Sequence, residues 1–217
     1  MGWAVAAALT AMVTVASAAL GSTPVQRTLT PTAQVVVRPV SWSARVTPGF
    51  TVSRENPGSL DCTAGMASPG TVDADILECS PSAEYATACW LSRTPHRTLC
   101  LRDPRKKQLV SINRTGTMAQ ALPDPAGKRG PLGLRLADGA YCSIRIGGAG
   151  ASLQGHPHYG ITYYCNDGQA AWAPFSGKNW GIDRSHPVWR VRTAPLNGHG
   201  ALRTRNVAKV WFVGMHA

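Results

Sequence analysis

Two imidazoles two residues apart, in Gly155-His156-Pro157-His158, project to one side of an extended chain and form half of a metal site. No His-Glu-x-x-His accompanies them. His156 and His158 are therefore weak metal candidates, and a polar loop is the simpler reading. In GIDRSHPVW, Asp183 precedes His186 by three residues, a spacing at which a carboxylate orients a general base. Ser185 beside His186 does not make a triad, and no Gly-x-Ser-x-Gly is present. Asp73, Asp75 and Glu78 offer the carboxylates that a glycosidase needs, but strand alternation makes Asp73 and Asp75 surface residues first. The sequence carries neither a P-loop nor a dinucleotide fingerprint, and it implies no cofactor.

Cys62, Cys79, Cys89, Cys100, Cys142 and Cys165 form an even set without a Cys-x-x-Cys, which argues for disulfides rather than a metal or a nucleophile. Many connectivities are open. Local geometry favours three sequential bridges. Cys142 is in phase with Ile144 and Ile146, and Cys165 with Ile161 and Tyr163, so two neighbouring strands would bring these sulfurs together. Cys89 and Cys100 bracket a short loop, which leaves Cys62 with Cys79.

The 22 Lys and Arg outnumber the 11 Asp and Glu, and unevenly: four basic against six acidic residues before Trp90, eighteen against five from Trp90 onward. Arg102, Arg105, Lys106 and Lys107 make one cluster; Arg184, Arg190, Arg192, Arg203, Arg205 and Lys209 follow the last carboxylate, Asp183. Charge of one sign attracts polyanions, here an anionic envelope polymer or an acidic lipid surface. The competing reading is that arginine merely solubilises the fold. Nucleic acid is not expected, because no recognition helix or RNP-like aromatic pattern occurs. Trp180 lies in the polar loop SGKNWGIDRS and is expected to be accessible, whereas Trp189 and Trp211 are expected inside. The candidate ligand-binding residues are Arg102, Arg105, Lys106, Lys107, Trp180, Arg184, Arg190 and Arg192.

These residues need elements to position them. In the chain of 217 residues, 22 Gly and 16 Pro with only 15% charged residues disfavour a helical bundle, and 44% hydrophobic residues disfavour a disordered chain. Residues 3–20 are uncharged and apolar and reach Ala16-Ser17-Ala18, so residues 1–18 read as a signal peptide, with a retained anchor as the alternative. No transmembrane segment is expected after cleavage. Residues 19–58, with five prolines, read as an extended arm or linker in which AQVVVRPVSW is a possible edge strand. Residues 59–217 read as one β-rich domain. Strands are expected at VDADILEC, RTLCLRD, KQLVSIN, LGLRLAD, AYCSIRIGG, GITYYC, QAAWAPF, VWRVRTA and VAKVWFVG. Asp138-Gly139 and Asn166-Asp167-Gly168 mark hairpin turns. One short helix is expected over SPSAEYATACWL, with Ser80 as N-cap and Pro81 at the first helical position. The expected fold is mainly β with a small α contribution: a disulfide-stapled antiparallel sheet, sandwich or small barrel.

The Ala-rich leader, the six exported cysteines, the Cys89-Trp90…Cys100 unit and the stretch WGIDRSHPVWRVR together resemble small exported proteins of high-GC actinobacteria, of the mycobacterial type. A fainter likeness is to secreted inhibitors of the subtilisin-inhibitor type, from which no reactive-site residue is carried over. The resemblance implies export but no activity. The expected function is a non-enzymatic, secreted or envelope-associated binding protein with a basic surface. The alternatives are a secreted hydrolase using His158 or His186 as base, and a protease inhibitor presenting the Cys89–Cys100 loop.

Overall fold

The structure, a computed structural model, describes residues 30–81, 86–145, 151–176 and 179–217, and not the side chains of 55–57. The expected signal peptide, the first part of the arm (19–29) and the middle of the expected helix (82–85) lie outside the described residues. Among the described residues fourteen strands follow one another: β1 Ala33–Ser41, β2 Thr51–Ala67, β3 Leu77–Ser80, β4 Cys89–Leu91, β5 Arg97–Asp103, β6 Gln108–Thr115, β7 Gly133–Leu136, β8 Tyr141–Ile144, β9 Ser152–Leu153, β10 His156–Cys165, β11 Gln169–Pro174, β12 Ile182–Asp183, β13 Arg190–Pro195 and β14 Arg203–His216. The one helical element among the described residues is a 3-10 turn, Ala126–Lys128. The fold is nearly all β, stapled by three disulfides.

The strands form two closed rings. In the first, β2-β3-β4-β5-β6 is a meander that closes by a parallel pairing of β2 with β6. In the second, β7-β8-β10-β11-β13-β14 is a meander that closes by antiparallel pairing of β14 with β7. The parity of each ring dictates its closure. A meander reverses direction at every turn, so its first and last strands run the same way when the count is odd and oppositely when it is even. β14 is the longest strand of the second ring: β13 pairs with its start, and β1 adds in parallel along its end. Thr32 secures the change of partner. Its buried hydroxyl donates to the Val207 carbonyl (2.6 Å) and accepts the Trp189 N–H (2.8 Å).

The near-continuous apolar runs of β5 and β6 serve two cores. Cys100, Val110 and Ile112 point into the first barrel with both of its disulfides. Leu99, Leu101 and Leu109 point the other way, into a cluster shared with Leu134, Tyr163, Val210 and Phe212 of the second barrel. Strands buried on both faces lose the polar alternation of a half-exposed strand. A third cluster, around Leu153, Ile161 and Trp172, lies on the opposite face of β11 and β13 from that core, since Ala170 and Trp172 alternate with Ala171 and Ala194 is out of phase with Val191. The barrels are also stitched by backbone, since Val72 N–H donates to Val213 O and Val213 N–H donates to Gly70 O.

Two expectations need correction. The expected helix ends in β4: Cys89 faces its bridge partner Cys100 across the β4–β5 ladder, and Trp90 beside it is fully buried in the shared core. Burial on both sides overrides the local capping signal of Ser80-Pro81. The expected arm is built into sheet from Ala33: AQVVVRPVSW is the edge strand β1, and β2 already runs from Thr51. The β2–β6 register shifts between Arg54 and Ser59, across the stretch holding Pro57, which cannot donate to a ladder.

Candidate functional site

Where the two barrels meet, the β5–β6 turn of the first lies against the outer face of β8 and β10 of the second. Between them is a cleft of about 460 Å³ whose lining includes Arg102, Asp103, Arg105, Tyr141, Ser143, Tyr164 and Asn166. Strand alternation decides who faces it. Cys142 and Cys165 turn inward as a directly paired bridge, so Tyr141, Ser143 and Tyr164 turn outward. The Asp138-Gly139 turn that joins β7 to β8 sets this register, with Gly139 at φ +97°, a conformation that favours glycine.

Arg105 is held in place on two sides. Asp103 Oδ2 accepts from its Nη2 at 2.7 Å, and Asp103 Oδ1 accepts from its Nε at 3.0 Å. The guanidinium also lies over the Tyr141 ring, 3.5 Å from the centroid. Burial works to raise the Asp103 carboxyl, but hydrogen bonds and charge from Arg105 overcome it and hold the group below the usual carboxylate range. Burial, then the Asp103 charge, push the Tyr141 phenol well up, so it stays a neutral hydroxyl. Tyr141 meets Trp211 edge-on (5.8 Å between centroids), and Lys209 Nζ lies 5.3 Å from the Trp211 ring. Lys209, Arg135 and Tyr141 are direct cross-strand neighbours, so a band of cations and aromatics runs outward from the cleft.

The candidate ligand-binding residues separate into groups. Arg102 and Arg105 line the cleft, and Lys106 and Lys107 are exposed on the adjoining turn. Arg190 and Arg192 line a different pocket, of about 440 Å³, with Asp183, Asn179 and Thr204. Arg192 there lies 5.0 Å over the Tyr159 ring. Arg184 belongs to neither. Its Nη1 donates to Ala126 O at 3.0 Å, its Nη2 donates to Arg129 O, and it lies 4.6 Å over the Trp189 ring. It therefore fastens the 3-10 turn to the β12–β13 connection. Trp180 is half-buried, with its indole against Gly130, where a Cβ would come within 2.5 Å of the ring. It also lines a separate pocket of about 210 Å³ with Gly160, Pro174 and Phe175.

His156 and His158 are exposed on β10, and His156 packs 5.1 Å from the Tyr159 ring. Among the described residues no three His, Cys, Asp or Glu side chains gather as metal ligands. Asp183 Oδ1 accepts the Ser185 hydroxyl (2.6 Å) and the Ser185 N–H (3.0 Å). Those bonds lower its carboxyl and direct it to its own turn. Asp73 Oδ2 accepts the Met215 N–H at 2.7 Å, Asp75 Oδ1 accepts the Ala121 N–H at 3.2 Å, and Glu78 is raised by burial. The Cys89–Cys100 loop is the β4–β5 hairpin, with Arg93–His96 exposed at its tip. Sequence reasoning missed Tyr141, Tyr164 and Ser143 as cleft residues. The available signal was their alternation against Cys142 and Cys165.

The fold and site define a double-barrel, disulfide-stapled protein with a basic, aromatic cleft between its barrels. Comparison with protein-family models, curated proteins and solved structures found no match, so the geometry alone supports a functional reading. Three disulfides fit an oxidising compartment, a coarse pointer to export. Among the described residues no helix is long and apolar enough to cross a membrane.

Proposed function

We propose that the chain is an exported, non-enzymatic binding protein of the cell exterior or envelope, whose basic surface engages an anionic envelope component. The observation that carries this reading is the interbarrel cleft, where Arg102 and Arg105 stand beside Tyr141 and Tyr164 in a concave site. Asp103 and Tyr141 hold Arg105 in one orientation before any ligand arrives. Preorganised cations bind anions without the cost of ordering a long side chain. The lopsided net charge, +11 at pH 7, adds a long-range attraction of the same sign.

The test is co-sedimentation of the full chain with isolated envelope material at increasing salt. The Debye length falls from about 10 Å at 0.1 M to about 3 Å at 1 M. Binding is expected to weaken steeply over that range, and to weaken further in the charge-removing variants Arg102→Gln and Lys106→Gln/Lys107→Gln. Binding indifferent to salt would overturn the electrostatic mechanism.

A further inference from the structure

We infer that the outer face of β12, β13 and β14 carries a second anion site, whose ligand is a phosphate with three free oxygens: inorganic phosphate or a phosphate monoester. The site stands half-way round the second ring from the interbarrel cleft. That ring runs β7-β8-β10-β11-β13-β14, with the cleft on β8 and β10 and the second site on β13 and β14. It goes beyond the cleft and does not depend on it.

Strand alternation builds the site. Val191 points into the core of the second barrel, so Arg190 and Arg192 on either side of it point outward. Residues two apart on a strand lie about 7 Å from each other, so two long guanidinium side chains can meet on one small anion. Thr204, the direct ladder partner of Arg192, adds a hydroxyl. Asn179 adds a side-chain amide from the turn that leads into β12, closed by the Ile182 N–H on Asn179 O (3.0 Å). The pocket these groups line has a volume of about 440 Å³, within the range of small-ligand sites.

The state of the two arginines points to a ligand. Arg192 is held with its guanidinium 5.0 Å over the Tyr159 ring, and Arg190 is half-buried opposite Asp183 of β12. Both contacts orient the cations and leave their N–H groups to give, because a guanidinium carries several donors in a fixed fork. Among the described residues neither arginine donates a hydrogen bond or joins an ion pair. Asp183 does not consume Arg190. Its Oδ1 accepts the Ser185 hydroxyl and N–H, and Arg190 acts on it only through weaker charge attraction. Two forks converging on one centre match a phosphate, which presents three strong acceptor oxygens and close to two negative charges at neutral pH. A carboxylate or a phosphodiester has fewer free oxygens and less charge.

The experiment is titration of the full, disulfide-bonded chain at neutral pH and constant ionic strength, followed by the arginine Nε–H signals in NMR spectra. The probes are inorganic phosphate, glycerol 3-phosphate, the diester glycerophosphoglycerol and acetate. The Arg190 and Arg192 signals, identified by their loss in Arg190→Gln and Arg192→Gln, are expected to shift saturably with inorganic phosphate or glycerol 3-phosphate. The tighter of these two shows whether the ligand is bare or esterified phosphate. The diester and acetate are expected to bind at least about tenfold more weakly. Arg190→Gln/Arg192→Gln should weaken phosphate binding at least about tenfold. Arg192→Lys, which keeps the charge and loses the fork, should fall between. Arg93→Gln removes the same charge from the exposed tip of the β4–β5 hairpin and should leave the affinity unchanged. Thermal unfolding checks that each variant folds. Absence of a saturable shift at Arg190 and Arg192 overturns the inference. So does diester or acetate binding as tight as phosphate, or an equal loss of affinity in Arg93→Gln, which would trace the binding to net charge alone.

Discussion

Arg184→Gln separates a structural arginine from a ligand-binding one. In the folded protein the Arg184 guanidinium donates to the carbonyls of Ala126 and Arg129 and lies over Trp189. A hydrogen bond to a charged group contributes about 1.5–3 kcal/mol net, and a partly desolvated cation–π contact about 1 kcal/mol. Burial of the charge opposes this and pulls the Arg184 pKa down. The balance is a loss of about 3 kcal/mol on substitution. For a chain of this length that lowers the unfolding midpoint by about 6–12 °C. Arg184→Lys keeps the charge but not the two-pronged fork, so it should fall between wild type and Arg184→Gln. The assay is thermal unfolding by circular dichroism, paired with limited trypsin digestion at Lys128 in the fastened turn. Digestion there should accelerate in Arg184→Gln while envelope binding stays at the wild-type level. An unfolding midpoint within about 2 °C of wild type together with lost envelope binding would refute the reasoning and return Arg184 to the ligand-binding set.

Other expectations follow from the same geometry. Thr32→Val deletes the hydroxyl that joins Trp189 N–H to Val207 O and should cost about 2–3 kcal/mol in thermal unfolding, while Thr32→Ser should cost less than about 1 kcal/mol. Asp103 and Asp138 have lowered folded-state pKa values: burial raises each, but bonding to Arg105 and Arg205 respectively outweighs it. Their stabilisation is therefore complete above the unfolded carboxylate value of about 3.9 and is lost as pH falls through the folded values below it; unfolding midpoints of Asp103→Asn and wild type should converge there. Glu78 has the opposite sign, since burial raises it. Glu78→Gln should raise the unfolding midpoint at pH 7, with the difference shrinking as acid protonates the wild-type carboxyl. Serine replacement of both Cys142 and Cys165, which close a separation of 23 residues, should cost about 3 kcal/mol in denaturant unfolding.

The pieces legible in the sequence were those set by local periodicity. RTLCLRD is β5 residue for residue, and Asp138-Gly139 and Asp167-Gly168 are hairpin turns with both glycines at positive φ. The three sequential bridges were legible because neighbouring strands in a meander are neighbours in sequence, so each cysteine finds its partner one or two strands away. β2 was not legible: a strand that carries a proline and a register shift lacks period-two alternation. β4 was hidden for another reason. Its residues bury both faces, and an alanine-rich approach with a serine–proline start imitates a helix. The cleft was half legible. Its charges stood out as the Arg102–Lys107 cluster, but the tyrosines lie some forty to sixty residues away and meet that cluster only through tertiary packing.

The double closure explains why the site falls between the barrels. A closed ring has no free edge in its wall, and among the described strands the free edges belong to the appended β1, β9 and β12. The interiors are filled as well: disulfides and aliphatic side chains pack the first barrel, and Leu134, Tyr163 and Phe212 pack the second. Recognition is left to outward residues, and the outward residues of β5 are themselves buried where they face the second barrel. Where β5 ends, at Asp103, the chain turns away from that shared core, and the turn leaves a gap that Arg102 and Arg105 enter from one side and Tyr164 from the other. The cleft thus lies where the β5–β6 turn leaves the shared core and faces the outward residues of β8 and β10. Its width depends on the packing of Leu101 and Leu132, which lie in the shared cluster and also line the cleft. Leu132→Ala should cost about 2–4 kcal/mol as a buried large-to-small change. It should also weaken ligand binding without removing any cleft charge. Unaltered ligand affinity in that destabilised but folded variant would show that the cleft does not depend on the contact between the barrels.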